Sequence, residues 1–94
     1  MSYDLSATIA LLNARQDKIE SKIRRAEIAR AGALARSKRI QAKAHATLSR
    51  SDLAANVQAW NAYRRAAKRL SDLHALNVFV SEARTRVWDA ALYG

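Results

Sequence analysis

The stretch LLNARQDKIESKIRRAEI, residues 11–28, decides the fold. Its seam of aliphatic and small residues passes through Leu12, Ile19, Ile23 and Ala26, at intervals of seven, four and three. Residues at these intervals lie on one side of an α-helix. Further steps of four and three extend the seam in both directions, over about six heptads in total. Its positions are Leu5, Ile9, Leu12, Gln16, Ile19, Ile23, Ala26, Arg30, Ala33, Ser37, Ile40, Ala44 and Thr47.

The helical pattern is interrupted after this seam, within TLSRSDLAAN, residues 47–56. Ser49 and Ser51 are both N-cap candidates, and Asp52 would favour the positive end of a new helix. Beyond the interruption, apolar residues recur with helical spacing at Leu53, Val57, Trp60, Tyr63, Ala67, Leu70 and Leu73. The interruption therefore predicts a short turn between two helices.

The predicted fold is an all-α antiparallel hairpin that forms a single helical domain over residues 1–94. Its first helix covers about residues 5–47, its turn about 48–52 and its second helix about 53–92. A kink near residues 71–81 is an open alternative, because the segment LNVFVSE contains β-branched residues. The chain has no proline, no cysteine and two glycines, which argues against a β-rich or disulfide-bonded fold.

Gly32 is the weak point of the first helix, since glycine is a poor helix former. A continuous helix through Gly32 is the favoured interpretation, and a break there is the alternative. The segment EIARAGALARSKRI, residues 27–40, resembles the helix-turn-helix DNA-binding motif, which would imply such a break. The resemblance covers fourteen residues, but Ala29 precedes Gly32 by three positions rather than four, and Lys38 replaces an aliphatic anchor.

A two-helix hairpin of this length is thin, so we expect further helices to pack on it. Leu11 and Ile28 fall outside the seam and are the predicted contacts with a partner or a second copy. Several alanines allow close helix approach. The prediction is a homodimer, assembled as a coiled coil or a four-helix bundle.

The chain is strongly basic, with seventeen Lys and Arg against eight Asp and Glu and a formal net charge of +9. The segment ARSKRIQAKAHA, residues 35–46, holds four cations and no acid. At 100° per residue, seven cations along the first helix fall within an arc of about 100°, displaced from the apolar seam. With the cluster RRAAKR of the second helix, the candidate anion-binding residues are Lys18, Lys22, Arg25, Arg36, Arg39, Lys43, Arg50, Arg64, Arg65, Lys68 and Arg69.

Such an array suits the phosphate backbone of DNA or RNA, because regularly spaced cations displace its counterions. We therefore expect a binding protein that engages nucleic acid with little sequence preference. The alternative is a protein–protein adaptor, inhibitor or assembly subunit that acts through its apolar and alanine-rich faces, or meets an acidic protein partner. No stretch approaches the roughly 20 apolar residues that span a bilayer. The expected location is the cytoplasm, or a particle assembled there.

Catalytic chemistry has no signature in this sequence. It lacks a phosphate-binding glycine loop, a nucleophile elbow and any Cys/His arrangement. The two histidines, His45 and His74, fall on different predicted helices at different heights of the hairpin. The prediction is a protein that is not an enzyme and that has no catalytic residue, no metal site and no cofactor.

Overall fold

The computed structural model describes residues 5–93, which form two long helices, α1 (Leu5–Thr47) and α2 (Arg50–Tyr93). They form a hairpin, and no strand occurs within residues 5–93, so the predicted all-α hairpin is confirmed. The bounds of α1 are those predicted. Helix α2 begins three residues earlier than predicted and continues through residues 71–81 without interruption.

The turn consists of Leu48 and Ser49 alone. Leu48 has a φ of 52°, the left-handed conformation that commonly ends a helix, and its N–H donates to the carbonyl of Ala44 at 2.8 Å. The Ser49 hydroxyl accepts a hydrogen bond from the N–H of Asp52 at 3.2 Å. Of the two candidate caps, Ser49 is therefore the N-cap, and this is why α2 already begins at Arg50.

Asp52 ties the two sides of the turn together. Its Oδ2 accepts a hydrogen bond from the Thr47 hydroxyl at 2.6 Å, and its Oδ1 lies 3.8 Å from the Lys43 ammonium. The hydrogen bonds from Thr47 and Ser49, followed by the charge of Lys43, lower the pKa of the Asp52 carboxyl. The carboxylate is thus stabilised in its charged form at the end of α1 and the start of α2.

Two compact units divide the hairpin. The first, here called the turn unit, comprises residues 24–71 and contains the turn. The second, here called the terminal unit, combines the start of α1 with the end of α2, and its described part comprises residues 5–23 and 72–93. Each unit has buried residues of its own.

The core of the terminal unit is built from branched aliphatic residues. Ile19 and Ile23 from α1 and Val80 from α2 are buried. The seam residue Gln16 is half-buried, and its Oε1 accepts a hydrogen bond from Nη1 of Arg84 at 2.9 Å. This polar interruption of the seam is thus satisfied by the opposite helix.

The core of the turn unit is built mainly from small residues. Ala26, Ala44 and Ala59 are buried, as is Leu70. Ser37 is fully buried, and its hydroxyl donates to the carbonyl of Leu34 at 2.8 Å, which satisfies it within its own helix. Small buried residues allow two helix backbones to approach closely.

Most of the predicted seam faces inward, as expected. Exceptions are Arg30 and Thr47, which are exposed.

Helix α1 runs through Gly32 in ordinary helical conformation, without a break. The helix-turn-helix resemblance of residues 27–40 therefore does not correspond to the structure, because the motif needs a turn where this chain is helical. Within residues 5–93, neither helix contains a segment apolar enough to cross a membrane.

Candidate nucleic-acid interface

Charge is distributed very unequally between the two units. Residues 24–71 hold twelve Lys and Arg against two Asp and Glu, a formal charge of +10. The remaining residues hold five cations against six acids, a formal charge of −1. The turn unit therefore carries the whole positive excess of the chain.

Four cations of the predicted stripe lie on α1 within the turn unit: Arg25, Arg36, Arg39 and Lys43, all of them exposed. Among the described residues, the three arginines make no ion pair or side-chain hydrogen bond, whereas Lys43 pairs with Asp52. Their helical spacing places all four on one side of α1. The guanidinium groups are therefore available to an anion.

Three other residues of the predicted stripe are placed differently. Lys18 and Lys22 are exposed but belong to the terminal unit, where Asp17 and Glu20 share their helix. Arg50 is the first residue of α2, so it does not continue the stripe of α1. The sequence prediction treated one straight helix as though it ran through the turn, and the N-cap at Ser49 is the reason it does not.

The second basic cluster also belongs to the turn unit. Arg64, Arg65, Lys68 and Arg69 are all exposed on α2. Among these four, Arg65 lines the same groove as Arg36 of α1. The structure thus brings one cation from each predicted cluster to a shared surface.

This groove has a volume of about 480 Å³ and runs between the two helices of the turn unit. The α1 residues that line it are Ala29, Gly32, Ala33, Arg36 and Ile40. The α2 residues are Ala55, Gln58, Ala59, Ala62 and Arg65. Six of these ten residues are alanine or glycine, and one arginine from each helix borders the groove.

Sequence reasoning placed RRAAKR of the second helix at the height of residues 31–36, and so anticipated Arg65, but it missed the alanines of α2 that line this groove. The signal was present, since Ala55, Ala59 and Ala62 are spaced by four and three residues and therefore lie on one helix face. Gln58 also lines the groove, although nothing in its sequence context indicated a site.

Aromatic rings do not line the groove. Trp60 and Tyr63 are half-buried on α2 and pack edge to face, with ring centroids 5.7 Å apart. The two rings contact each other at a distance and angle typical of aromatic pairs in protein interiors.

Large apolar side chains are exposed mainly on the terminal unit. Of the eleven that are exposed among the described residues, seven belong to it: Leu11, Leu76, Val78, Phe79, Trp88, Leu92 and Tyr93. The predicted partner contacts Leu11 and Ile28 are 54% and 74% exposed, so neither is used by the hairpin itself.

The histidines show no shared site, since His45 and His74 belong to different units and both are exposed. Within the described residues no group of three His, Cys, Asp or Glu side chains is arranged to hold a metal ion.

Comparison with protein-family models, with curated protein sequences and with solved structures finds no match to this chain.

Proposed function

We propose that this protein binds nucleic acid through the phosphate backbone, using the exposed cations of the turn unit, with little sequence preference. The observation that carries the proposal is the charge of +10 on residues 24–71 beside −1 on the rest of the chain. A concentration of like charge disfavours the compact state through self-repulsion, and a polyanion relieves that repulsion. Phosphates meeting these cations also release bound counterions, which favours binding at low salt.

The lack of sequence preference follows from the chemistry of the surface. Guanidinium groups can contact phosphates on any sequence, and phosphate contacts position a protein without reading bases. The groove that Arg36 and Arg65 border has no aromatic side chain for base stacking. Gln58 is the one uncharged hydrogen-bonding side chain that lines the groove, and a single such side chain cannot distinguish a sequence of bases.

A triple variant tests this proposal. Arg36→Gln, Arg39→Gln and Arg65→Gln together remove three exposed charges and keep good helix formers. The affinity for labelled DNA and RNA, measured by fluorescence anisotropy, should fall for all sequences alike. The slope of log K against log salt should become shallower by about two to three units.

The matched control is the triple Arg24→Gln, Arg30→Gln and Lys38→Gln, which removes the same charge from exposed positions of the turn unit outside the groove. It should cost less affinity. Equal losses from both triples would mean that only net charge matters, and no loss from either would refute binding through the cations of the turn unit. Circular dichroism and light scattering of all variants show whether helicity and mass are unchanged.

A protein–protein function is the second candidate, favoured by the exposed apolar side chains of the terminal unit. Leu76 and Phe79 are spaced by three residues on α2, and Phe79 is 64% exposed. The double variant Leu76→Ser and Phe79→Ser should leave helicity intact and abolish self-association or partner capture through this face. If light scattering gives the same mass for the unmodified protein and the double variant, this result would count against a dimer formed through Leu76 and Phe79.

A further inference from the structure

The presence of glycine at position 32, beside the groove, is not explained by the contacts or the backbone conformation of the chain itself. Glycine is a poor residue for a helix interior, yet Gly32 adopts ordinary helical φ and ψ angles and needs no left-handed conformation. A Cβ at this position would meet nothing within 4 Å. No neighbouring side chain therefore requires a glycine, and Gly32 is one of the residues that line the groove.

We infer that the groove seats the backbone of a single nucleic-acid strand between Arg36 and Arg65, with Gly32 leaving room for close approach. This inference rests on the proposed function and adds the strandedness and the path of the ligand. A single strand is thin enough to follow a groove between two helices, and positively charged grooves that follow a backbone are typical of single-strand binding.

Charge complementarity favours a nucleic-acid strand as the ligand of the groove. The groove lies within the +10 turn unit, and both arginines that border it are exposed and unpaired among the described residues. A duplex carries its phosphates on a convex surface and is commonly contacted by a helix that enters one of its own grooves. Such a docking mode would leave the residues that line this groove, Gly32 among them, without a contact.

The test uses the full chain with a labelled oligothymidylate and a duplex of equal length. Gly32→Leu places a side chain in the groove, and it also replaces glycine with a good helix former, so helicity should not fall. Affinity for the oligothymidylate should drop by at least about tenfold, while affinity for the duplex changes by less than about twofold. The control Ala35→Leu adds the same bulk at an exposed position of α1 outside the groove and should change neither affinity.

A second pair of variants covers the opposite helix. Gln58→Glu adds a negative charge to the groove, and Asn61→Asp adds the same charge at an exposed position outside it. The first should weaken oligothymidylate binding more than the second. Equal effects of Gln58→Glu and Asn61→Asp would overturn the path through the groove.

The outcomes separate the two proposals. If the arginine triple weakens binding but Gly32→Leu does not, the groove is not the path, and the proposed function stands. If Gly32→Leu weakens strand and duplex equally, the preference for a single strand is refuted. If the unmodified protein binds neither probe but binds polyglutamate in a Gly32→Leu-sensitive way, the groove serves an acidic protein, and both proposals fail.

Discussion

The turn unit and the terminal unit consist of the same two helices, yet they differ in core and in surface. Buried Ile19, Ile23 and Val80 hold the terminal unit, whose charge is −1 and whose described residues expose seven large apolar side chains. The turn unit has mainly alanine in its core and carries +10. A small-residue core buries less apolar surface per residue and stabilises less. The turn unit thus combines a core of mainly small residues with the greater charge repulsion, and the proposed nucleic-acid ligand would relieve that repulsion.

The largest expected effect comes from charging the terminal core. Ile23→Asp places a carboxylate at a side chain that is 7% exposed, and we expect it to destabilise the protein by about 4 kcal/mol or more. Thermal unfolding followed by circular dichroism should show a hairpin that is unfolded or close to it at room temperature.

Ile28→Asp is the matched control, since Ile28 is 74% exposed. It should change the free energy of unfolding by about 0.5 kcal/mol or less. If Ile28→Asp also unfolded an isolated monomer, the inward face of α1 would be misassigned.

The second prediction asks whether the cationic stripe of α1 is continuous across both units. The double variant Arg36→Gln and Arg39→Gln should lower affinity for single-stranded DNA by about tenfold and make the salt slope shallower by about 1.4 units. Lys18→Gln and Lys22→Gln remove the same charge from the terminal unit, where acids share the helix. Their effect on the slope should be less than about 0.5 units.

If the two double variants lose affinity equally, the continuous cationic stripe that the sequence predicted would be supported. The functional distinction between the units would then be wrong. The measurement is anisotropy at several salt concentrations, with helicity checked for each variant.

The fold was predictable because its determinants are local. The intervals of Leu12, Ile19 and Ile23 define a helix face, and the serines after Thr47 provide the cap of the next helix. The choice between Ser49 and Ser51 was not predictable, because either serine can cap a helix. Which of them is the N-cap depends on the left-handed conformation of Leu48, which ends α1 directly before Ser49.

The candidate site was predictable only in part. Helical periodicity placed Arg36 and Arg39 on one face of α1, but periodicity within one helix cannot say which face of α2 lies beside it. An antiparallel hairpin that turns near residue 50 does place residues 64–69 at the height of residues 31–36. The groove that Arg36 and Arg65 share also depends on the packing of alanines from both helices, which is tertiary information. The uneven distribution of charge was visible in the sequence, because the turn unit is the continuous segment 24–71, and only the boundaries of that segment come from the structure.

The third prediction concerns the turn that belongs to the turn unit alone. Ser49→Ala removes the hydroxyl that accepts from the Asp52 N–H at 3.2 Å, and it should cost about 1 kcal/mol of unfolding free energy. Ser51→Ala, at an exposed position inside α2, is the control and should change stability by about 0.5 kcal/mol or less. A larger loss from Ser51→Ala in chemical denaturation would show that Ser51 is the cap and that α2 starts later.

The fourth prediction concerns the poor helix former at position 32 of the turn unit, whose replacement leaves the charge of the unit unchanged. Gly32→Ala should stabilise the protein by about 0.5 to 1 kcal/mol, because alanine is a better helix former and its Cβ meets nothing within 4 Å. Thermal unfolding measures this gain. A loss of stability would mean that α1 is distorted at Gly32 in solution.

The smallest expected effect is the acid sensitivity of the turn. The hydrogen bond from Thr47, then that from Ser49, then the charge of Lys43 lower the pKa of Asp52 in the folded state. A carboxyl with a lowered folded pKa binds fewer protons than its unfolded form, so its stabilising contribution is present above the unfolded pKa of about 3.9. That contribution is lost as the pH falls through the folded pKa. Because Asp52 is partly exposed, the loss should appear as a modest fall in Tm between neutral and strongly acidic pH. Asp52→Asn should lower Tm at neutral pH and show a shallower decline with acid than the unmodified protein. Parallel declines of the two proteins would show that Asp52 does not contribute to the pH dependence and that acid weakens the hairpin elsewhere.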